Sequence, residues 1–147
     1  MTVTTNLQQL YGIDDYEWLL ANIELLKQRR FDDLDLENLI EELQDLGNEK
    51  KNAVKSLLEQ VIRHLLLLQY WTEEIEINGH HWQSEILGFR YQLEDRLTSN
   101  LRVFLNQEID HIYQRALKYV CVKTKFQVDF PEECPYTVEQ LLDIDYL

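Results

Sequence analysis

Glu108, Ile109, Asp110 and His111 spell Glu-x-x-His, the spacing at which one helix face offers a carboxylate and an imidazole to the same metal ion. A di-iron site built that way needs a second such motif and two further glutamates from facing helices. The nearest partner is the stretch EQVIRH, where Glu59 and His64 stand five apart and so leave a helix in different directions. A second acidic group runs through LDLENLIEELQDLGNEK, with Glu41, Glu42, Asp45 and Glu49 around a lone Gly47. There the acids fall opposite an apolar stripe, so a solvated face is expected. An unpartnered buried carboxylate would cost several kcal/mol. The candidates for metal or acid–base chemistry are therefore Glu41, Glu42, His64, Glu108 and His111, and no metal, cofactor or catalytic set is expected from them.

Other reactive residues point the same way. His64 lies within an apolar run and reads as an imidazole at the edge of a core, hydrogen-bonded to a backbone or acidic partner. His80 and His81 stand at an expected turn before Trp82, with no further ligands nearby. No serine sits in a nucleophile elbow, neither cysteine has a basic setting, and no glycine loop could cradle phosphate. Trp18 lies beside the apolar stripe of its helix. Partial exposure is expected there, which makes Trp18 the first choice for contact with a partner.

The elements that would position these residues are helices. Four Gly and two Pro leave little material for the turns of a β-sandwich, and good helix formers dominate the 147 residues. The first helix is expected from Asp14 or Asp15, with Tyr16, Leu19, Leu20, Ile23 and Leu26 as its buried stripe. Asp35 should cap a second helix carrying Leu36, Leu39, Ile40, Leu43 and Leu46. Its pattern runs on nearly in step past Gly47. An unbroken helix to Trp71 would span roughly 50 Å, too long for one compact domain, so a kink is expected at Gly47. Ala53, Val54, Leu57, Leu58, Val61, Ile62 and Leu65 to Leu68 then form a broadly apolar central helix, with Lys55, Glu59 and Arg63 as an exposed charge ladder.

Asn78-Gly79 is the next turn signal, followed by a stripe of Trp82, Ile86, Phe89, Leu93 and Leu97. Ser99 or Asn100 opens a helix through Leu101, Leu105, Ile109, Ile112, Ala116 and Val120. Thr137 with Gln140 forms a capping box before a short last helix. The expectation is an all-α, compact antiparallel bundle of five or six helices, one domain over residues 1–147.

A formal charge of −13 sets the wrong field for nucleic acid or an anionic membrane, and suits steering toward a basic partner. The apolar run VIRHLLLLQYW is broken by Arg63 and His64, well short of a membrane span. MTVTTNLQQLYG lacks the basic-then-apolar pattern of a secretory signal, and Cys121 and Cys134 fit small apolar fillers in a reducing compartment. A cytoplasmic protein is expected.

The ordered motifs YEWLL, LLKQRRFDDLDLENLIEELQDLGNEKK, LLEQVIRHLLLLQYW, HHWQSEI and FPEECPYTVEQLL resemble one family, the domain of unknown function twenty-nine. The resemblance covers nearly the whole chain. It implies an all-helical bundle and a cyanobacterial source, and it brings no activity or catalytic residue. The chain departs from the family's usual pattern at His81, where a Ser precedes the Trp, and at Leu67-Leu68, where a Lys-Trp follows the His-Leu-Leu segment. The expected function is a non-enzymatic interaction or regulatory module with a protein partner, one of basic character suiting the charge. A homo-oligomer is compatible with the sequence. The alternatives are a metal-dependent or hydrolytic enzyme using the Glu and His candidates and, behind it, one half of a toxin–antitoxin-like pair.

Overall fold

A computed structural model describes residues 3–147, with side chains from Leu7 onward. Its described residues form six α-helices: α1 (Val3–Tyr11), α2 (Asp15–Lys27), α3 (Leu36–Tyr70), α4 (Ile75–Arg96), α5 (Ser99–Lys123) and α6 (Val138–Leu142). No strand occurs among them, and 79% of them are helical, the two short 3₁₀ turns included. The fold is all-α. The chain divides into two compact units, Met1–Glu49 and Lys50–Leu147.

In the first unit, α1 packs on α2 ahead of the expected first helix. Asp14 caps α2 as its type and position foretell, its Oδ1 accepting from the Glu17 amide at 3.0 Å. The α2 stripe is the reverse of the expected one. Trp18, Asn22 and Leu25 are buried, while Tyr16 (68% exposed), Leu19, Leu20, Ile23 and Leu26 face solvent. Both faces of α2 are apolar, so counting apolar spacing picked the greasier face over the one carrying Asn22. Trp18 is only 1% exposed, which corrects its expected partial exposure: its indole N–H is spent on the Asp35 carboxylate inside the unit. The unit's core joins Leu7, Trp18, Leu25 and Leu34, with Tyr11, Ala21 and Leu39 against it.

Helix α2 ends in a left-handed residue that is not glycine. Arg29 has φ 59°, the Arg30 amide donates to Leu25 O at 2.9 Å, and the Arg29 amide donates to Leu26 O at 3.1 Å. This is the Schellman pattern, which settles the last carbonyls of the helix. Helix α5 stops the same way, with Lys125 and Phe126 at φ 56° and 58°.

Helix α3 runs unbroken for 35 residues, so the expected kink at Gly47 does not form. No glycine among the described residues has positive φ, and no other atom comes within 4 Å of where a Gly47 Cβ would stand. One helical glycine in open space costs only about 1 kcal/mol against alanine, too little to break a helix of good formers. The length argument failed because it assumed one compact body. Residues 36–49 belong to the first unit and 50–70 to the second.

The second unit is built around the rest of α3. Val54, Leu58, Val61, Ile62, Leu65, Leu66 and Leu67 are all buried, as the broad apolar run foretold. Trp82, Ile86 and Leu93 from α4 and Leu105, Ile112, Ala116 and Val120 from α5 complete the core. Glu59 is not part of an exposed ladder. It is 6% exposed, held by Arg63 of the next turn and by Arg115 Nε of α5 at 2.8 Å. The expected turn at Asn78-Gly79 is helical as well. The break falls earlier, at a single 3₁₀ turn over Thr72–Glu74, and Asn78 Nδ2 instead donates to Glu74 Oε2 one helical turn back. Thr98 caps α5 one residue ahead of the expected start, and Thr137 and Gln140 form the foreseen capping box on α6.

Arg90 of α4 is 2% exposed and fixes the C-terminal segment. Its guanidinium donates to the backbone carbonyls of Leu141 (2.8 Å), Tyr146 (2.6 Å) and Gln140 (3.3 Å). No helix of the described residues is long and apolar enough to cross a membrane.

Candidate functional site

Two places gather groups that could bind a partner or ligand, one in each unit. In the first, α2 turns Leu19, Leu20, Ile23 and Leu26 outward, and α3 does the same with Leu36, Ile40, Leu43 (61% exposed) and Leu46. These are two apolar stripes left uncovered on a unit of only 49 residues. Behind them the interior is held by a polar lock. Trp18 Nε1 and Asn38 Nδ2 donate to Asp35 Oδ2 at 2.9 and 2.7 Å, and Asn22 Oδ1 accepts from the Asp35 amide at 3.1 Å. Asp35 Oδ1 is buried with no hydrogen bond among the described residues. The lock fixes the start of α3 against the inner face of α2, so the outer faces are displayed by rigid elements.

Glu41 and Glu42 belong to this unit. Glu41 is exposed; Glu42 is half-buried and accepts from the Tyr11 hydroxyl at 2.6 Å. That bond, ahead of the nearby acids, pushes the Tyr11 phenol up to about 12. Glu42 thus serves to tie α1 to α3.

The second place is a cleft of about 400 Å³ in the second unit. Arg63, His64 and Leu67 of α3, Trp71 after it, Asn78, His81 and Trp82 of α4, and Tyr119 and Lys123 of α5 line it. The Arg63 guanidinium lies 3.7 Å from the centre of the Tyr119 ring, and Lys123 Nζ lies 6.0 Å from the same ring. Trp71 and Trp82 stack with centroids 5.9 Å apart and planes 21° from parallel. His64 Nδ1 is 2.7 Å from the Gln60 carbonyl. A carbonyl only accepts, so Nδ1 carries the proton and Nε2 of the neutral ring keeps its lone pair. Burial pushes the His64 pKa down. The Gln60 bond and the charge of Glu85 oppose that shift, while His81 and Lys123 add to it.

The remaining candidates are not gathered. Glu108 is half-buried, His111 is exposed, and no three His, Cys, Asp or Glu among the described residues stand close enough to hold a metal ion. Cys121 and Cys134 are both half-buried and free. The cleft offers no Ser, Cys or carboxylate in its lining for His64 to activate.

A family model described as Domain of unknown function DUF29 matches residues 10–147. The chain belongs to that family. No curated protein and no solved structure matches it.

Within this DUF29 chain, sequence reasoning had singled out His64, and its backbone partner is the kind expected. It missed Arg63, Tyr119 and Lys123 as neighbours of His64, because they converge only when α3 and α5 pack. It missed Asp35 as a buried acceptor too, although a Trp and two Asn close by were the available signal: each is a donor or acceptor able to satisfy a buried carboxylate.

Proposed function

We propose that the chain is a non-enzymatic interaction module whose first unit docks a basic amphipathic helix of a partner protein. The observation that carries this reading is the pair of uncovered apolar stripes, Leu19, Leu20, Ile23 and Leu26 on α2 and Leu36, Ile40, Leu43 and Leu46 on α3. Rows of exposed apolar side chains on a helix suit an interaction site, and completing the burial of each of these half-exposed residues is worth roughly half of the 1.5–3 kcal/mol that full burial brings. Spacing by three and four along both helices matches the anchors of a helix-in-groove complex.

Charge selects the occupant. Residues 1–49 carry 12 Asp and Glu against 3 Lys and Arg, a net of −9, so most of the excess acidity of the whole chain lies around these stripes. A second copy would bring the same −9 against it, whereas a helix with a lysine or arginine rim would gain from the field.

The test is calorimetric titration of the full chain with an 18-residue helical peptide of leucines on one face and lysines on the other, and with its glutamate-rimmed counterpart. The lysine peptide should bind, more weakly as salt rises, and the glutamate peptide should not. Leu20→Glu or Ile23→Glu should abolish binding with the melting temperature unchanged. Equal binding of both peptides, or none, defeats the proposal. Sedimentation as a dimer that Ile23→Glu dissolves would assign the surface to a second copy instead.

A further inference from the structure

We propose that the cleft of the second unit binds a small anion bearing a flat ring, of the chemical class of a nucleoside monophosphate. The inference is independent of the docking surface, since every residue it uses lies in the second unit, between Glu59 and Lys123.

Charge is the first argument. In a chain of net charge −13, this cleft gathers Arg63, Lys123, His64 and His81, with no carboxylate in its lining. Glu59 accepts from Arg63 Nη2 and is shared with Arg115, so Arg63 is aligned by its partner and is not quenched alone by it. Lys123 makes no ion pair among the described residues. Cations held beside a ring in a recess suit a phosphate or carboxylate better than they suit water.

Shape and ring chemistry are the second. Trp71, backed by the buried Trp82 on which it stacks, and Tyr119, with Arg63 over one face, are the aromatic rings that line the cleft, and an aromatic side chain offers a sequence-tolerant stacking surface to a planar base. A volume of about 400 Å³ falls in the range of small-ligand sites, which run roughly 300–1,000 Å³. The fixed tautomer of His64 leaves Nε2 as an acceptor, and the Asn78 carbonyl oxygen is a second acceptor. Two acceptors beside aromatic rings fit the exocyclic amine or ring N–H of a base. A simple anion would need neither.

The experiment is isothermal titration of the full chain with adenosine monophosphate, and separately with adenosine and with inorganic phosphate, alongside tryptophan fluorescence. The nucleotide should bind and quench, and each half alone should bind at least roughly tenfold more weakly, the factor that 1.4 kcal/mol of lost contact produces. Lys123→Gln and His81→Ala alter exposed side chains and should weaken binding with the melting temperature held. Two variants guard against the failure of either to fold. Failure of the nucleotide to bind at millimolar concentration, phosphate binding as tightly as the nucleotide, or indifference of binding to both substitutions would each overturn the assignment. None of these outcomes touches the first unit, so the docking proposal stands or falls separately.

Discussion

The indole of Trp18 donates to the carboxylate of Asp35 across 2.9 Å, and neither residue is more than 1% exposed. A hydrogen bond to a buried charge is worth more than one between neutral groups. Trp18→Phe removes the donor and keeps most of the ring, so it is expected to cost about 2–3 kcal/mol. Amide exchange along α2 and at the start of α3 should accelerate. Tyr16→Phe, on the exposed side of the same helix, should leave both measures unchanged; equal effects would mean that α2 is not anchored by its inner face.

Glycine substitutions separate open from crowded helix. Gly47→Ala meets nothing within 4 Å and should stabilise by up to about 1 kcal/mol through helix propensity. At Gly79 a new Cβ would stand 3.2 Å from Ile75 Cγ2, so Gly79→Ala should fall short of that gain. Urea melts of the two variants give the comparison. A destabilised Gly47→Ala would restore the kink.

Arg29 and Lys125 hold left-handed backbone at helix ends, where a Cβ costs roughly 1–2 kcal/mol. Arg29→Gly and Lys125→Gly should each stabilise by about 1 kcal/mol, because the Schellman bonds use only backbone. Thermal melts would show it. A loss at either site would mean that its side chain makes a contact worth more than the strain.

His64 sets a pH dependence. Its folded pKa lies below the ordinary 6.5, chiefly through burial, so the unfolded chain takes up the proton first. Its contribution to stability is complete above pH 6.5 and is lost as pH falls from there toward the folded pKa. Between pH 7.5 and 5.5 the native chain should therefore lose more stability than His64→Gln. Parallel slopes would place the acid sensitivity elsewhere.

Arg90 spans from α4 to three carbonyls of the C-terminal segment. Arg90→Met fills similar volume and leaves those carbonyls without their donor, at an expected cost of about 2–3 kcal/mol. Exchange should rise mainly at residues 138–147. If it rises evenly through α4 and α5, Arg90 supports the whole unit and not the tail.

The second unit was legible because its helices bury their apolar residues, one face on α4 and α5 and most of the circumference on α3. Val54 to Leu68, Trp82 to Leu93 and Leu105 to Val120 fall where periodicity places them. The first unit misled for a physical reason. Its helices carry apolar residues on the outside and a polar lock of Asn22, Asp35 and Trp18 inside, inverting the signal that periodicity reads. Length estimates likewise assumed one core where there are two. Of the cleft, only His64 was visible, since the meeting of Arg63 with Tyr119 depends on packing between helices distant in sequence.

The unbroken passage of α3 from one unit into the other bears on the order in which the chain takes shape. A helix is expensive to start and cheap to extend. Residues 1–49 leave the ribosome first, carrying the Trp18–Asp35 lock and the opening turns of α3. By the time Val54 to Leu68 emerge, those turns can already serve as the nucleus onto which the second unit's central helix grows, residue by residue. A nucleus already formed in the early segment would spare the later one the cost of starting its helix.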